Sequence, residues 1–285
     1  MEIKTWGEAL AYTFKTRHTW RHGNGAEAAR INTNHFTRHV GLSYPCKKIT
    51  QPIISQFCID LEEELKSDAT INRIVSAIST VLHHCEDDGL LPSAPRLRRR
   101  KEGESRKTWY TKEQVEGLAQ AALDPYERID LHNIILCAAY TGMRQGELLK
   151  LKCRDVDFSL TTVHVGGRPD VQSKSKNYRS VPFPDRIEGI LRQRIEGKDP
   201  RSFVFGCDWN DRDQLMRAFK RVRKYCGISE DHVFHSLRHS YATWLAEADV
   251  QLLTIKELMG HASINTTMLY AKVTSQARTA AVNRI

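Results

Sequence analysis

Between Pro92 and Lys107 the apolar periodicity that runs through the rest of the chain disappears. Pro92-Ser-Ala-Pro95 gives way to Arg96-Leu-Arg-Arg-Arg-Lys101 and then to Glu102-Gly-Glu-Ser-Arg-Lys107. A stretch with no apolar face has little to contribute to a core. The chain is therefore expected to fold as two separately packed modules, 1–95 and 108–285, joined by a basic linker over 96–107. A length of 285 residues suits two domains of roughly 100–200 residues each.

Upstream of the break the pattern is helical, with segments near 5–15, 24–39, 50–66 and 69–86. Ile53, Ile54, Phe57, Cys58 and Leu61, then Ile71, Ile74, Ala77, Ile78, Val81 and Leu82, recur at three- and four-residue spacings. Thr50 is a candidate cap for the third segment, and Thr70 or Asp68 for the fourth. Downstream, Thr111 with Gln114 forms a capping-box pattern that opens a helix to about Ala122. Residues 127–140 read as a strongly apolar helix that stops at Thr141-Gly142, and another runs from Arg144 to Leu151. Short alternation over Asp155–Phe158, Thr161–Val165 and Tyr178–Phe183 predicts a small antiparallel sheet. Helices are expected again at 185–195, 211–225, 235–247, 251–259 and 264–272. The fold class is mainly α with a small antiparallel β element.

Charge and cysteine usage narrow the function. The net charge of +9 divides as +4 on 1–107 and +5 on 108–285, so it is not confined to one tail, as expected of a partner for a polyanion. No run of about 18 apolar residues exists, so no membrane span is expected. The N-terminus lacks the basic and apolar regions of a secretory leader. The seven cysteines are odd in number and form no CxxC pair, which predicts free thiols and a cytoplasmic or nucleoid setting. There is no GxxxxGK[ST], no HExxH and no Asp/Glu cluster suited to Mg²⁺, so neither a metal nor a cofactor is expected.

Six positions in the second module form a constellation. Arg144, in Thr141-Gly-Met-Arg-Gln-Gly-Glu-Leu148, sits just after a helix break, and Glu147 lies one turn on, placed to brace a guanidinium. Lys174 lies in Ser173-Lys-Ser-Lys176, at a hairpin tip before Arg179-Ser-Val-Pro182, with Lys176 as the second choice. His235 and Arg238 share a helix face by their spacing, whereas His239 is expected to point elsewhere and pack. Gly260 ends a helix, His261 occupies the turn, Ser263 caps the next helix, and Tyr270 lies near that helix's end. Two arginines, a lysine, two histidines and a tyrosine suit a phosphodiester. Guanidinium forks match its non-bridging oxygens, and a tyrosine is a covalent nucleophile if a cationic pocket favours its phenolate.

The order Arg144, Lys174, His235-x-x-Arg238, Gly260-His261, Tyr270 resembles the tyrosine recombinase (phage integrase) family, whose boxes match TGMRxxEL, HxLRHxxAT and LMGHxxxxTTxxYAxV. The resemblance implies site-specific strand exchange of the integration or excision type, with viral or mobile-element DNA among its settings. It implies that Tyr270 forms a 3′-phosphotyrosyl bond and Arg144 and Arg238 clamp the phosphate. It implies too that Lys174 protonates the leaving 5′-oxygen, that His235 assists proton transfer, and that His261 bonds the phosphate. It also implies an N-terminal helical, SAM-like core-binding domain, with no arm-binding domain ahead of it. Double-stranded DNA would be the substrate, bound by a homotetramer through tail exchange, with an accessory DNA-bending protein as a further partner. Arg96, Arg98, Arg99, Arg100 and Lys101 are the expected backbone contacts of the linker. A non-catalytic DNA-binding factor of the same fold and a type IB topoisomerase are the alternatives.

Overall fold

The computed structural model describes residues 2–21, 24–102, 108–167, 178–206, 208–209 and 212–274. It divides into two compact units, Met1–Ser105 and Arg106–Ile285. Lys174, Lys176 and the tail beyond Thr274 lie outside the described residues. No helix among the described residues is long and apolar enough to cross a membrane.

The first unit contains α1 (Trp6–Thr16), α2 (His18–Arg21), α3 (Asn24–Val40), a 3-10 turn at Cys46–Lys48, α4 (Gln51–Glu63) and α5 (Asp68–Asp87). The four expected helices are α1, α3, α4 and α5. A capping box starts α1: Thr5 Oγ1 accepts from the Glu8 amide and the Glu8 carboxylate accepts from that of Thr5. Ser67, rather than Thr70 or Asp68, caps α5, its hydroxyl accepting from the Thr70 amide. Thr50 precedes α4 without a side-chain bond to the helix. The buried stripe of α5, including Ile71, Ile74, Ile78 and Val81, packs against α1, α3 and α4. Trp6 and Phe57 each meet the Phe36 ring edge-on, with centroids 5.1 and 5.2 Å away, and the Trp6 indole donates to Thr37 Oγ1.

The basic run after Pro95 is strapped onto this unit as far as Glu102. The Arg98 amide donates to Gln51, and the Asn72 side-chain amide bonds both backbone groups of Arg100. The Arg100 guanidinium pairs with Glu62 at 3.0 Å and Asp68 at 3.2 Å and donates to the Cys58 carbonyl. Arg100 is thus paired with two carboxylates of its own unit. Arg99 donates to Ser76 Oγ at an exposed site.

The second unit opens with α6 (Lys112–Leu123), its Thr111–Gln114 capping box formed as expected, followed by α7 (Ile129–Thr141) and α8 (Gln145–Lys150). Strands β1 (Val156–Asp157), β2 (Thr162–Val165) and β3 (Arg179–Pro182) make an antiparallel sheet in the order β1-β2-β3. Then come α9 (Asp185–Ile195), α10 (Arg212–Tyr225), α11 (Phe234–Glu247), α12 (Leu252–Met259) and α13 (Ile264–Thr267), with a 3-10 segment at Met268–Thr274. Leu131, Ile134, Ile135, Leu136, Cys137, Ala138 and Ala139 are all buried, and α6, α9, α10 and α11 pack round α7. A helix apolar on every side belongs at the centre of its unit. The helix expected over 264–272 is one α turn and then 3-10. Thr266 and Thr267 are β-branched and favour the α form weakly, and the Thr267 hydroxyl is bonded to His261 Nδ1.

Candidate active site

The carboxyl end of α12 organises the site. Gly260 takes the left-handed conformation, with φ of 63°. Its amide donates to Glu257 O and the His261 amide to Lys256 O, the paired bonds of a Schellman ending. Three further carbonyls at this end need donors, and three arginines from other elements supply them. Arg179 Nε from β3 donates to Leu258 O at 3.0 Å, Arg238 from α11 to Met259 O, and Arg144 from the start of α8 to Gly260 O at 3.3 Å. Cations at a helix carboxyl end also meet the favourable end of its dipole.

Glu147 holds two of these arginines together. Its carboxylate takes a two-point bond from Arg179, at 2.9 and 2.8 Å, and a bond from Arg144 Nη1 at 2.9 Å, and it accepts from the Arg144 amide at 2.7 Å. Burial alone would raise the Glu147 carboxyl. The Arg179 bonds and charge, with those of Arg144, outweigh burial and hold it down at about 2. Glu147 does brace a guanidinium, as its spacing from Arg144 suggests, and also serves Arg179, which the linear pattern does not single out. A signal for it lies in β3, where the strand alternates and Arg179 and Val181 face inward while Ser180 and Pro182 face out.

Arg238 is 3% exposed. Besides Met259 O it donates to Gly142 O at 2.6 Å, so one side chain joins the turn after α7, which carries Arg144, to the turn after α12, which carries His261. Burial, with repulsion from Arg144 and Arg179, presses its guanidinium down to about 9, still charged at neutral pH. Gly142 has φ of 61°, and a Cβ there would stand 2.4 Å from Tyr241 Cδ1. Gly142→Ala is therefore expected to destabilise the protein by about 1–3 kcal/mol and to displace Arg144 and Arg238. Thermal denaturation checks this, and a Tyr241→Ala background should recover part of the loss if the overlap is the cause.

Tyr270 lies in the 3-10 segment, 4% exposed, against Ala242, Ala246, Ile255 and Met259. Burial raises its hydroxyl to about 12 even though the Arg238 charge acts to lower it. Its partner is His239 Nδ1 at 2.7 Å. His239, expected to face away, is thus part of the site. His235 is exposed, with its ring edge-on to that of His239 at 5.1 Å. His261 is half-buried and anchored through Nδ1 to Thr267 Oγ1 at 2.9 Å. The structure thus gathers Arg144, Glu147 and Arg238 about the α12 ending, with His261 on the same turn, and bonds Tyr270 to His239, the neighbour of Arg238 on α11. Beside them a cleft of about 640 Å³ is lined by Arg144, Lys150, Lys152, Arg154 and His164, and reaches Gly166-Gly167 at the start of the β2–β3 connection.

The chain is similar to known recombinases. A tyrosine recombinase of Thermosipho africanus is 27% identical over 278 residues, covering 94% of this chain and 95% of the relative. Tyrosine recombinase XerA of Pyrococcus furiosus is 30% identical over 237 residues, 80% of this chain and 78% of the relative. The Tn1549 transposon integrase, solved in complex with a circular intermediate DNA, superposes with a TM-score of 0.77 at 16% identity, over 94% of this chain and 95% of that one. The Phage_integrase family model matches residues 108–277, more than half of the sequence, and the chain belongs to the phage integrase family, the tyrosine recombinases.

Proposed function

We propose that this recombinase cuts and reseals DNA at one phosphodiester held by Arg144 and Arg238, with Tyr270 as the nucleophile. The observation that carries the reading is the gathering of three guanidiniums at carbonyls 258–260, with Arg238 acting on the Tyr270 hydroxyl. Among the described residues Glu147 is the carboxylate bonded to this cluster, and the surplus positive charge suits an anion. In water-excluded surroundings such charge stabilises a phosphorane strongly.

Tyr270 attacks phosphorus, forming a 3′-phosphotyrosyl bond and expelling the 5′-oxygen. Lys174 supplies the proton that oxygen takes up, His261 donates a hydrogen bond to the phosphate, and His235 assists proton transfer from the DNA side. The ester conserves the energy of the broken bond, so religation needs no nucleotide cofactor. Lys150, Lys152 and Arg154 along the cleft, and Arg96, Arg98, Arg99 and Lys101 on the first unit, track the backbone as sequence-independent contacts. Exchange between two duplexes opens four strands, each needing a tyrosine, which supports a homotetramer. The work is done on cytoplasmic or nucleoid DNA, with an accessory DNA-bending protein bringing sites together.

A nicked suicide substrate that traps the covalent adduct tests the reading. Arg144→Ala and Arg238→Lys are each expected to slow adduct formation by about 10²–10³-fold while mobility-shift binding persists. Cleavage at the wild-type rate in either variant would remove the phosphate clamp from the mechanism.

A further inference from the structure

We propose that His239 is the proton acceptor for the nucleophile, its Nδ1 taking the phenolic proton as the Tyr270 oxygen bonds to phosphorus. The inference rests on Tyr270 being the attacking residue. His239 touches the reacting atom itself, with Nδ1 2.7 Å from the Tyr270 hydroxyl. That is within the reach a general base requires.

Helix geometry explains how both functions come from adjacent residues. Successive side chains on α11 diverge by about 100°. Arg238 turns to the α12 carbonyls while His239 turns to the 3-10 segment that carries Tyr270. The phenol is buried, so at neutral pH it is protonated, and attack as phenolate requires that proton to leave along an existing hydrogen bond. A neutral imidazole with its proton on Nε2 presents Nδ1 as an acceptor.

The step balances. The Tyr270 Oη–P bond forms and the P–O5′ bond breaks. The Oη proton passes to Nδ1, and the departing 5′-oxygen is protonated from the opposite side. In religation the imidazolium returns its proton to Oη as the phosphotyrosyl bond breaks. The positive charge His239 gains is matched by negative charge on the phosphorane. His235 meets the far side of the His239 network by ring contact and stays exposed, on hand for the DNA.

The elements packed against α11 are α7, α12 and the 3-10 segment. Among the described residues, the charged and titratable groups at this end include His235 and Tyr270, in ring contact with His239, with Arg238 and Tyr241 on α11. Arg144, Glu147, Arg179 and His261 stand about the α12 carboxyl end, and Tyr140 of α7 with Lys256 and Glu257 of α12 lie in the adjoining turns.

Single-turnover cleavage of the suicide substrate by the full chain, from pH 6 to pH 9.5, tests the proposal. His239→Gln and His239→Ala are expected to lose about 10²-fold or more in rate at pH 7. The loss should shrink about tenfold per pH unit as hydroxide replaces the missing base. Incorporating 3,5-difluorotyrosine at position 270, a more acidic phenol, should rescue the His239 variants more than the wild type. His239→Gln preserves size and polarity, so it reports even where His239→Ala fails to fold. A rate equal to wild type, a faster rate (a histidine that merely stores the phenol), or a uniform loss that neither pH nor fluorination relieves would each overturn the proposal. If instead Tyr270→Phe still forms an adduct, the nucleophile assignment is the one that fails.

Discussion

Tyr270→Phe is expected to remove covalent cleavage, lowering adduct formation by about 10⁴-fold or more, and to leave the protein folded and bound to DNA. The ring is packed against Ala242, Ala246, Ile255 and Met259, and phenylalanine keeps all of that surface. What is lost is one hydroxyl and its bond to His239, worth about 1 kcal/mol of stability. The dissociation between intact binding and absent chemistry is the useful feature. A destabilised protein would lose both. Denaturing electrophoresis of a labelled suicide substrate reads the adduct directly, and a persistent adduct would transfer the nucleophile to another side chain.

Glu147→Ala is expected to cost about 3–5 kcal/mol of stability, because it leaves Arg179, 8% exposed, as a buried charge without its two-point partner. For a unit of this size that is a fall in melting temperature on the order of 10 °C. Cleavage should fall with it, since Arg144 loses the bonds that hold it at the mouth of α8. The same pair has a pH signature. The Glu147 carboxyl lies near 2 in the folded protein against an ordinary value of 4.5. Its contribution, on the order of 3 kcal/mol, is complete above pH 4.5 and is lost as pH falls towards 2. Urea titrations between pH 5 and pH 2 should show that decline in the wild type and a flatter profile in Glu147→Gln. Equal slopes in the two proteins would mean that the carboxylate is not held by the arginines in solution.

The two predictions bear on different parts of one device. The arginines are placed by carbonyls that the α12 ending leaves unsatisfied, and they are kept together by one carboxylate, so the pocket is electropositive before DNA arrives. Tyr270 lies under the cluster with its proton still on. On the proposed reading, this division separates the residues that would hold the phosphate from those that would move protons, and it is why a proton acceptor beside the phenol matters.

Much of this protein is written in local sequence. Helix periods over 69–86 and 127–140, the Thr111–Gln114 box, the stop at Gly142 and the Schellman glycine at 260 all depend on residues within one or two turns of each other, and their partners are fixed by spacing. The order of Arg144, His235-x-x-Arg238, His261 and Tyr270 is legible for the same reason: it is a linear pattern. What tertiary structure alone decided is which of these side chains meet. Arg238 reaches a carbonyl 96 positions away, Arg144 one 116 positions away, and Arg179 a carboxylate 32 positions away. Tyr270 finds its acceptor across 31 positions, on the neighbour of the arginine that the pattern singles out. Arg179 is singled out by no motif along the chain, and it is the β3 register that turns it inward. A hydrogen bond between distant residues is set by the packing of the helices that carry them, and no spacing rule along the chain encodes that packing.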